Sequence, residues 1–396
     1  MKVQIAQELM PNFSPIEQVL EKRKLDMDWI EADERFFHDG RDLFNYEKGK
    51  DFIGDIFLKE SPKVAIQVDN DADGFTSASA VYLWLKKHRP DLNLQFIITD
   101  GKVHGVLEHL VPDDLDFLII PDASSSEGKK HKRLAQKGIR ILVLDHHEIT
   151  DYDTPAIVIN PHHKECKYPN KNLSGAGVVY KFIEGFDNDI NTDNHSFLMD
   201  LVAISTVADV MSLKNYENKA LVNKGLKNIQ NPLFKSFLLN DFRMRDKNVN
   251  PIAVAFYFAP LINAMTRLAS AEEKLEVMEA FVGEISPEPT IALMTKIKGK
   301  QDRNKESVLP RIVMKLQRGQ LDKNKIILTD APKTLHKAAT GLIAGNLASA
   351  YQKPTLLGRD KDDDFVGSIR SINDSNVENF KDFCEESGLF NWVAGC

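Results

Sequence analysis

The sequence predicts an α/β protein with two lobes joined by helices, the first lobe carrying a parallel, doubly wound sheet. Three observations predict it. From Val64 onward, short apolar runs alternate with amphipathic helical stretches, which is the rhythm of β-α-β units. Residues 197–300 read as largely helical. A second strand-and-helix signal then begins at residue 325.

The elements follow in order. Residues 1–60 read as a helical, charged N-terminal segment without a catalytic signature. Strand-like runs are VAIQV (64–68), LQFII (94–98), DFLII (116–120), IRILVL (139–144) and AIVI (156–159). Between the first two, TSASAVYLWLKKH (76–88) has apolar residues at helical spacing, with Thr76 or Ser77 as the expected N-cap. A second helix is expected over 127–137. Residues 291–317 read as a long connecting element broken near Pro310. The second lobe offers a strand at 325–330, a helix at 341–351 and a strand at 365–371. The expected domain limits are 1–60, 61–290, 291–322 for the connecting helix, and 323–396.

Composition narrows the class. With 396 residues, 42% hydrophobic and 28% charged, the chain can bury a core in two or three domains. No uninterrupted apolar run reaches the ~18 residues that a bilayer span needs, and the N-terminus lacks a signal-peptide core, so no membrane association is expected. Cys166, Cys384 and Cys396 are scattered and form no CxxC pair, which argues against a disulfide framework or zinc knuckle. The expected compartment is the cytoplasm. A net charge of −7 excludes a uniformly basic nucleic-acid coat but leaves room for a local basic groove.

The acids are the informative residues. In open parallel sheets, ligands bind outside the carboxyl ends of the strands. The first strand runs into Asp69, Asp71 and Asp73; the run at 116–120 ends at Pro121-Asp122; the run at 139–144 ends at Asp145-His146-His147. Asp209 follows another apolar segment, VAISTVADV. Like charges this close repel strongly, so such a cluster calls for cations. Mixed carboxylate and imidazole donors suit Mn²⁺ or Mg²⁺, and their number is enough for two ions. DNDADG also satisfies the first half of an EF-hand loop. However, its twelfth position is Ala80 in place of the required Glu, and a strand precedes it, so that reading is rejected. His162 and His163 read as loop residues or supports of the ligands.

The ordered motifs DNDADG, LDHH, INPHH, LSGAGVVYKF, STVADV, LINAMTRL, HKAATGLIAGNLA and VGSIRS resemble the DHH phosphoesterases, in the branch of RecJ-type single-strand-specific exonucleases. The resemblance covers roughly residues 15–396. It implies a DHH domain and a smaller α/β DHHA1 domain joined by a long helix. The activity implied is Mn²⁺- or Mg²⁺-dependent 5′→3′ hydrolysis of single-stranded DNA bearing a 5′ phosphate, by a monomer. By motif, Asp71, Asp73, Asp122, His146 and Asp209 correspond to ligands of two ions, with Asp122 as the bridge. His147 corresponds to a phosphate-facing histidine and Asp145 to its orienting partner. Asn263 and Arg267 match a substrate-side motif, and Ser368 and Arg370 the grip on the terminal phosphate.

Departures from the family pattern are equally definite. Pro260-Leu261-Ile262 stand where Gly-Pro-Arg is common, and the segment after LQFII offers Lys102 and His104 where an arginine is usual. The family's Gly-Gly-His aligns with Ala394-Gly395-Cys396, so Gly395 retains one substrate-side position and a shortened or divergent member is expected. Of two basic stretches, 129–133 reads as a solvated helix face and 296–305 as the better candidate for tracking phosphates. Two other functions compete. One is a DHH enzyme acting on short oligonucleotides, cyclic dinucleotides or small phosphoesters; the long N-terminal segment and connecting helix disfavour it. The other is a replication-associated binding module without chemistry, which the intact set of acids disfavours.

Overall fold

The computed structural model describes residues 13–101, 105–241, 243–244, 249–361, 364–372, 380–391 and 393. Two compact units divide the chain, residues 1–295 and 296–396.

In the first unit, helix α1 (Tyr46–Leu58) precedes strand β1 (Val64–Gln67), helix α2 (Ala72–His88) and strand β2 (Leu94–Ile97). Strand β3 (Phe117–Pro121), helix α3 (Gly128–Gln136), strand β4 (Arg140–Leu144) and strand β5 (Ile157–Ile159) follow. All pairings are parallel and the strand order is β2-β1-β3-β4-β5. The strands are nearly continuous apolar runs because helices cover both faces of a parallel sheet. β1 and β3 are buried at every position. One face packs Ala65, Leu118, Ile120, Ile141 and Val143 against Leu134 of α3. Among the described residues, the helices of the remainder include α4 (Gly175–Asp189), α5 (Met199–Ala208), α6 (Ala259–Leu268) and α7 (Ala271–Phe281). Among the described residues, one helical stretch, Pro251–Leu268, is long and apolar enough to cross a membrane. Half of it is buried inside the protein, so it reads as a core helix.

Two expectations need correction. Helix α2 begins at Ala72, four residues before Thr76. Asp71 is its N-cap and accepts a hydrogen bond from the Gly74 N–H at 3.0 Å. The hydroxyls that looked like caps are used inside the helix: Thr76 donates to the Ala72 carbonyl and Ser77 to Asp73 Oδ1. The connecting helix α8 (Pro287–Arg318) is likewise not broken at Pro310. Pro310 removes one N–H, but both it and Glu306, whose carbonyl loses that donor, lie where water can serve the freed group. Val308, Ile312 and Leu316 meanwhile anchor the helix in a core.

That core belongs to the second unit, where Ile327, Ile343, Leu347 and Leu357 complete it. Strand β6 (Ile327–Asp330) and helix α9 (Thr340–Tyr351) lead to strands β7 (Thr355–Lys361) and β8 (Asp364–Arg370). β6 and β7 are parallel, β7 and β8 antiparallel. β7 is absent from the sequence reading because Arg359, Asp360 and Lys361 hide its pattern; pairing along all seven residues with β8 overrides that weak local signal.

Candidate metal centre

Strand order 2-1-3-4-5 places the topological switch point between β1 and β3, where ligands of such sheets bind. Parallel pairing brings the carboxyl ends of β1, β3 and β4 to this edge side by side, with Ile66 opposite Ile119 and Pro121 opposite Leu144. Asp69, Asp71 and Asp73 follow β1, Asp122 follows β3, and Asp145, His146 and His147 follow β4. Asp209 arrives from the helical side, as the residue that ends α5.

The donors form three overlapping groups, each with ligand atoms within 4.8 Å of one another: Asp69, Asp71 and Asp122; Asp73, His146 and Asp209; and Asp122, His146 and His147. Asp122 is common to the first and third groups and His146 to the second and third. The His146 Nε2 lies 3.2 Å from Asp122 Oδ1, 3.6 Å from Asp209 Oδ2 and 3.8 Å from Asp73 Oδ2. Yet Asp122 Oδ1 and His146 Nε2 are buried without a hydrogen-bond partner. A cation held between these two converging buried atoms would satisfy both.

The electrostatics agree. Burial, then the charges of Asp73, Asp71, Asp69 and Asp145, push the Asp122 carboxyl well above the ordinary range. Two like charges 4 Å apart near a protein surface repel by about 4 kcal/mol, so divalent cations would relieve several such pairs at once. Hard oxygen donors with imidazole fit Mn²⁺ or Mg²⁺.

Neighbouring groups hold the donors in place. Asp73 accepts from the Gly175 and Ala176 N–H groups at the start of α4 (2.8 and 2.9 Å) and from the Ser77 and Ser205 hydroxyls (2.9 and 2.6 Å). Asp145 is fully buried and accepts from the His147 ring Nδ1 at 2.8 Å and from the backbone N–H groups of Ser125, His146 and His147. Burial alone would raise its carboxyl, but the His147 bond, the two imidazoles and the Ser125 side chain hold it below the usual range. Asn160 of the INPHH motif donates to the His147 carbonyl at 2.8 Å. Asp122 has a left-handed backbone with φ of 61°, and Gly175 makes room for it: a Cβ at position 175 would stand 2.5 Å from Asp122 Oδ1.

The remaining expectations divide. His162 is exposed and His163 stacks on Phe44 at 4.0 Å; neither joins a donor group, in line with a loop role. Asn263 and Arg267 sit one turn apart on α6, where Arg267 Nη1 donates to the Asn263 carbonyl, and neither enters the donor groups. In the second unit, Ser368 and Arg370 of β8 converge on the first turn of α9: a Cβ at Gly341 would stand 2.8 Å from Arg370 Nη2 and 3.4 Å from Ser368 Oγ. A guanidinium and a hydroxyl beside a helix N-terminus favour an anion. Gly395, with Lys102 and His104, lies outside the described residues. The basic stretch 129–133 is a surface of ion pairs, with Lys130, Lys132 and Arg133 on Glu127, Asp153 and Glu108. Two surface depressions of 450 and 420 Å³, lined by residues such as Lys50 and Arg41, contain none of these candidate donors.

The sequence places Asp69 with Asp71 and Asp73 at the strand end but not in the ligand set carried over by motif, and it gives no sign of Gly175 as the clearance beside Asp122. The D-x-D-x-D alternation was the signal for Asp69, and Gly175 stands out only as part of the LSGAG motif.

A family model described as the DHH family, N-terminal domain, matches residues 63–206, which run from β1 into α5. A putative SPbeta prophage-derived single-strand DNA-specific exonuclease, YorK of Bacillus subtilis (strain 168), is 34% identical over 409 residues, covering 97% of this chain and 70% of that protein. This chain is a DHH-family protein of the RecJ type. The single-stranded-DNA-specific exonuclease RecJ of the same organism is 24% identical over 353 residues; the DHH chain aligns over 86% of its own length and spans only 43% of that relative. The crystal structure of RecJ in complex with Mn²⁺ from Thermus thermophilus superimposes with a TM-score of 0.72 at 20% identity, over 89% of this chain and 51% of that one. At that identity the likeness speaks for the DHH fold.

Proposed function

We propose that this chain is a hydrolase that removes nucleotides from the 5′ end of single-stranded DNA, using two divalent ions held by Asp69, Asp71, Asp73, Asp122, His146 and Asp209. The observation that carries the reading is the pair of buried, unpartnered atoms, Asp122 Oδ1 and His146 Nε2, at the centre of the donor cluster. The exonuclease names of its relatives support the substrate. Ions bound there would lower the pKa of a coordinated water and offset charge on the phosphate. The protein's own share is positioning. Asp145 accepts the Nδ1 proton of His147 and so fixes the orientation of the ring beside the donor cluster. Ser368 and Arg370 take the terminal phosphate.

The test uses a 5′-phosphorylated single strand labelled at either end, incubated with Mn²⁺ or EDTA. Mononucleotides should appear first from the 5′ end, only with Mn²⁺, and a duplex of the same sequence should resist. Release from the 3′ end first, or equal cleavage of blunt duplex, contradicts the proposal. A length series separates the competing reading: preference for dinucleotides would mark a short-oligonucleotide enzyme. In the same assay, Arg370→Ala should raise KM about ten- to a hundredfold, the value of ~1.5–3 kcal/mol for a charged hydrogen bond, with Mn²⁺ affinity unchanged. An unaltered KM would remove Arg370 from the phosphate grip.

A further inference from the structure

Lys274 is a fully buried cation that neither the metal centre nor the proposed reaction uses. It stands on α7, in line with Val277, Met278 and Phe281, at the spacing of that helix's apolar stripe. A methionine or leucine would fill such a position at lower desolvation cost. Instead, the Lys274 ammonium gives its three protons to Asn70 Oδ1 at 2.8 Å, the Thr99 carbonyl at 2.8 Å and the Gly101 carbonyl at 2.7 Å. Asn70 sits between Asp69 and Asp71, two members of one donor group. Thr99 and Gly101 belong to the loop leaving β2, and Asp100 between them accepts from the Ala271 N–H at the start of α7 (2.7 Å). One side chain thus binds α7, the acidic loop of β1 and the loop after β2 to a single point. It also sets a positive charge behind carboxylates that otherwise repel one another.

We propose that Lys274 is a positioning residue for the metal centre: through Asn70 it fixes the spacing of Asp69 and Asp71 so that they meet a divalent ion together. The inference rests on the metal-centre reading above.

The experiment measures Mn²⁺ affinity of the full chain by electron paramagnetic resonance of free Mn²⁺, with thermal unfolding in EDTA as a check on folding. Lys274→Met keeps an unbranched stem one atom shorter and removes the three protons. Asn70→Ala removes the Asn70 acceptor and leaves Lys274 both carbonyl partners, so it decides the matter should Lys274→Met fail to fold. Groups that orient metal ligands without touching the ion usually account for about ten- to a hundredfold in affinity, and Asn70→Ala should weaken Mn²⁺ binding by that factor while melting as a folded protein. Wild-type affinity in a folded Asn70→Ala or Lys274→Met variant overturns the role of Lys274 and leaves the metal centre standing. Failure of the wild-type chain itself to bind Mn²⁺ overturns the metal-centre reading instead.

Discussion

Asp122→Asn should abolish divalent-ion binding and hydrolysis while leaving the metal-free protein more stable than the wild type. The two effects have one cause. Asp122 is 2% exposed, lies in two donor groups, and is surrounded by Asp69, Asp71, Asp73 and Asp145. Asparagine keeps the shape and removes the charge, so the repulsion disappears together with the ligand. Loss of a donor shared by two groups should exceed the roughly ten- to hundredfold that a supporting residue contributes. In EDTA the variant should melt above the wild type, and each 1 kcal/mol gained is worth about 2–4 °C for a domain of 150–250 residues. In Mn²⁺ the order should reverse, because only the wild type gains stability from the ion. Melting curves in the two buffers check both halves. A variant that binds Mn²⁺ normally, or melts lower in EDTA, contradicts the assignment.

The second large effect comes from a residue that donates nothing to a metal. Gly175→Ala would place a methyl 2.5 Å from Asp122 Oδ1 and 2.6 Å from Asp122 Cβ, distances that real Cβ atoms essentially never show. Asp122 has a short side chain on a left-handed backbone and cannot step aside without moving its carboxylate. The substitution should therefore suppress Mn²⁺ binding and activity with every ligand still present, at an overpacking cost of about 1–3 kcal/mol in stability. Gly177→Ala is the comparison: its methyl would meet Ser174 Oγ at 3.3 Å and Leu173 Cβ at 3.4 Å, contacts that small shifts absorb. Equal Mn²⁺ affinity in the two variants would contradict the clearance argument.

Much of this centre was legible in the sequence, for a definite reason. Strand ends in a parallel sheet are fixed by where apolar runs stop, so Asp122 and Asp145-His146-His147 could be placed from the runs FLII and ILVL and the residues after them. What escaped depends on distances in space. Asp69, Asp71 and Asp73 look equivalent in sequence, but Asp69 and Asp71 join Asp122, Asp71 also caps α2, and Asp73 is held by α4 and α5. Lys274, within AEEKLEVMEAF, carries no local sign of its role, because its partners lie 173 to 204 positions away along the chain. Gly175 was visible only as part of a motif, since its purpose is the room it leaves for Asp122, far upstream at the carboxyl end of β3. Charges within β7 hid a strand that its partner imposes.

The central claim is that this cluster of acids and imidazole exists to hold two ions. Anomalous diffraction at the manganese edge from Mn²⁺-soaked crystals tests it most directly. Two peaks are predicted, one among Asp69, Asp71 and Asp122 and the other among Asp73, His146 and Asp209. An anomalous map without a peak among these side chains would contradict the account.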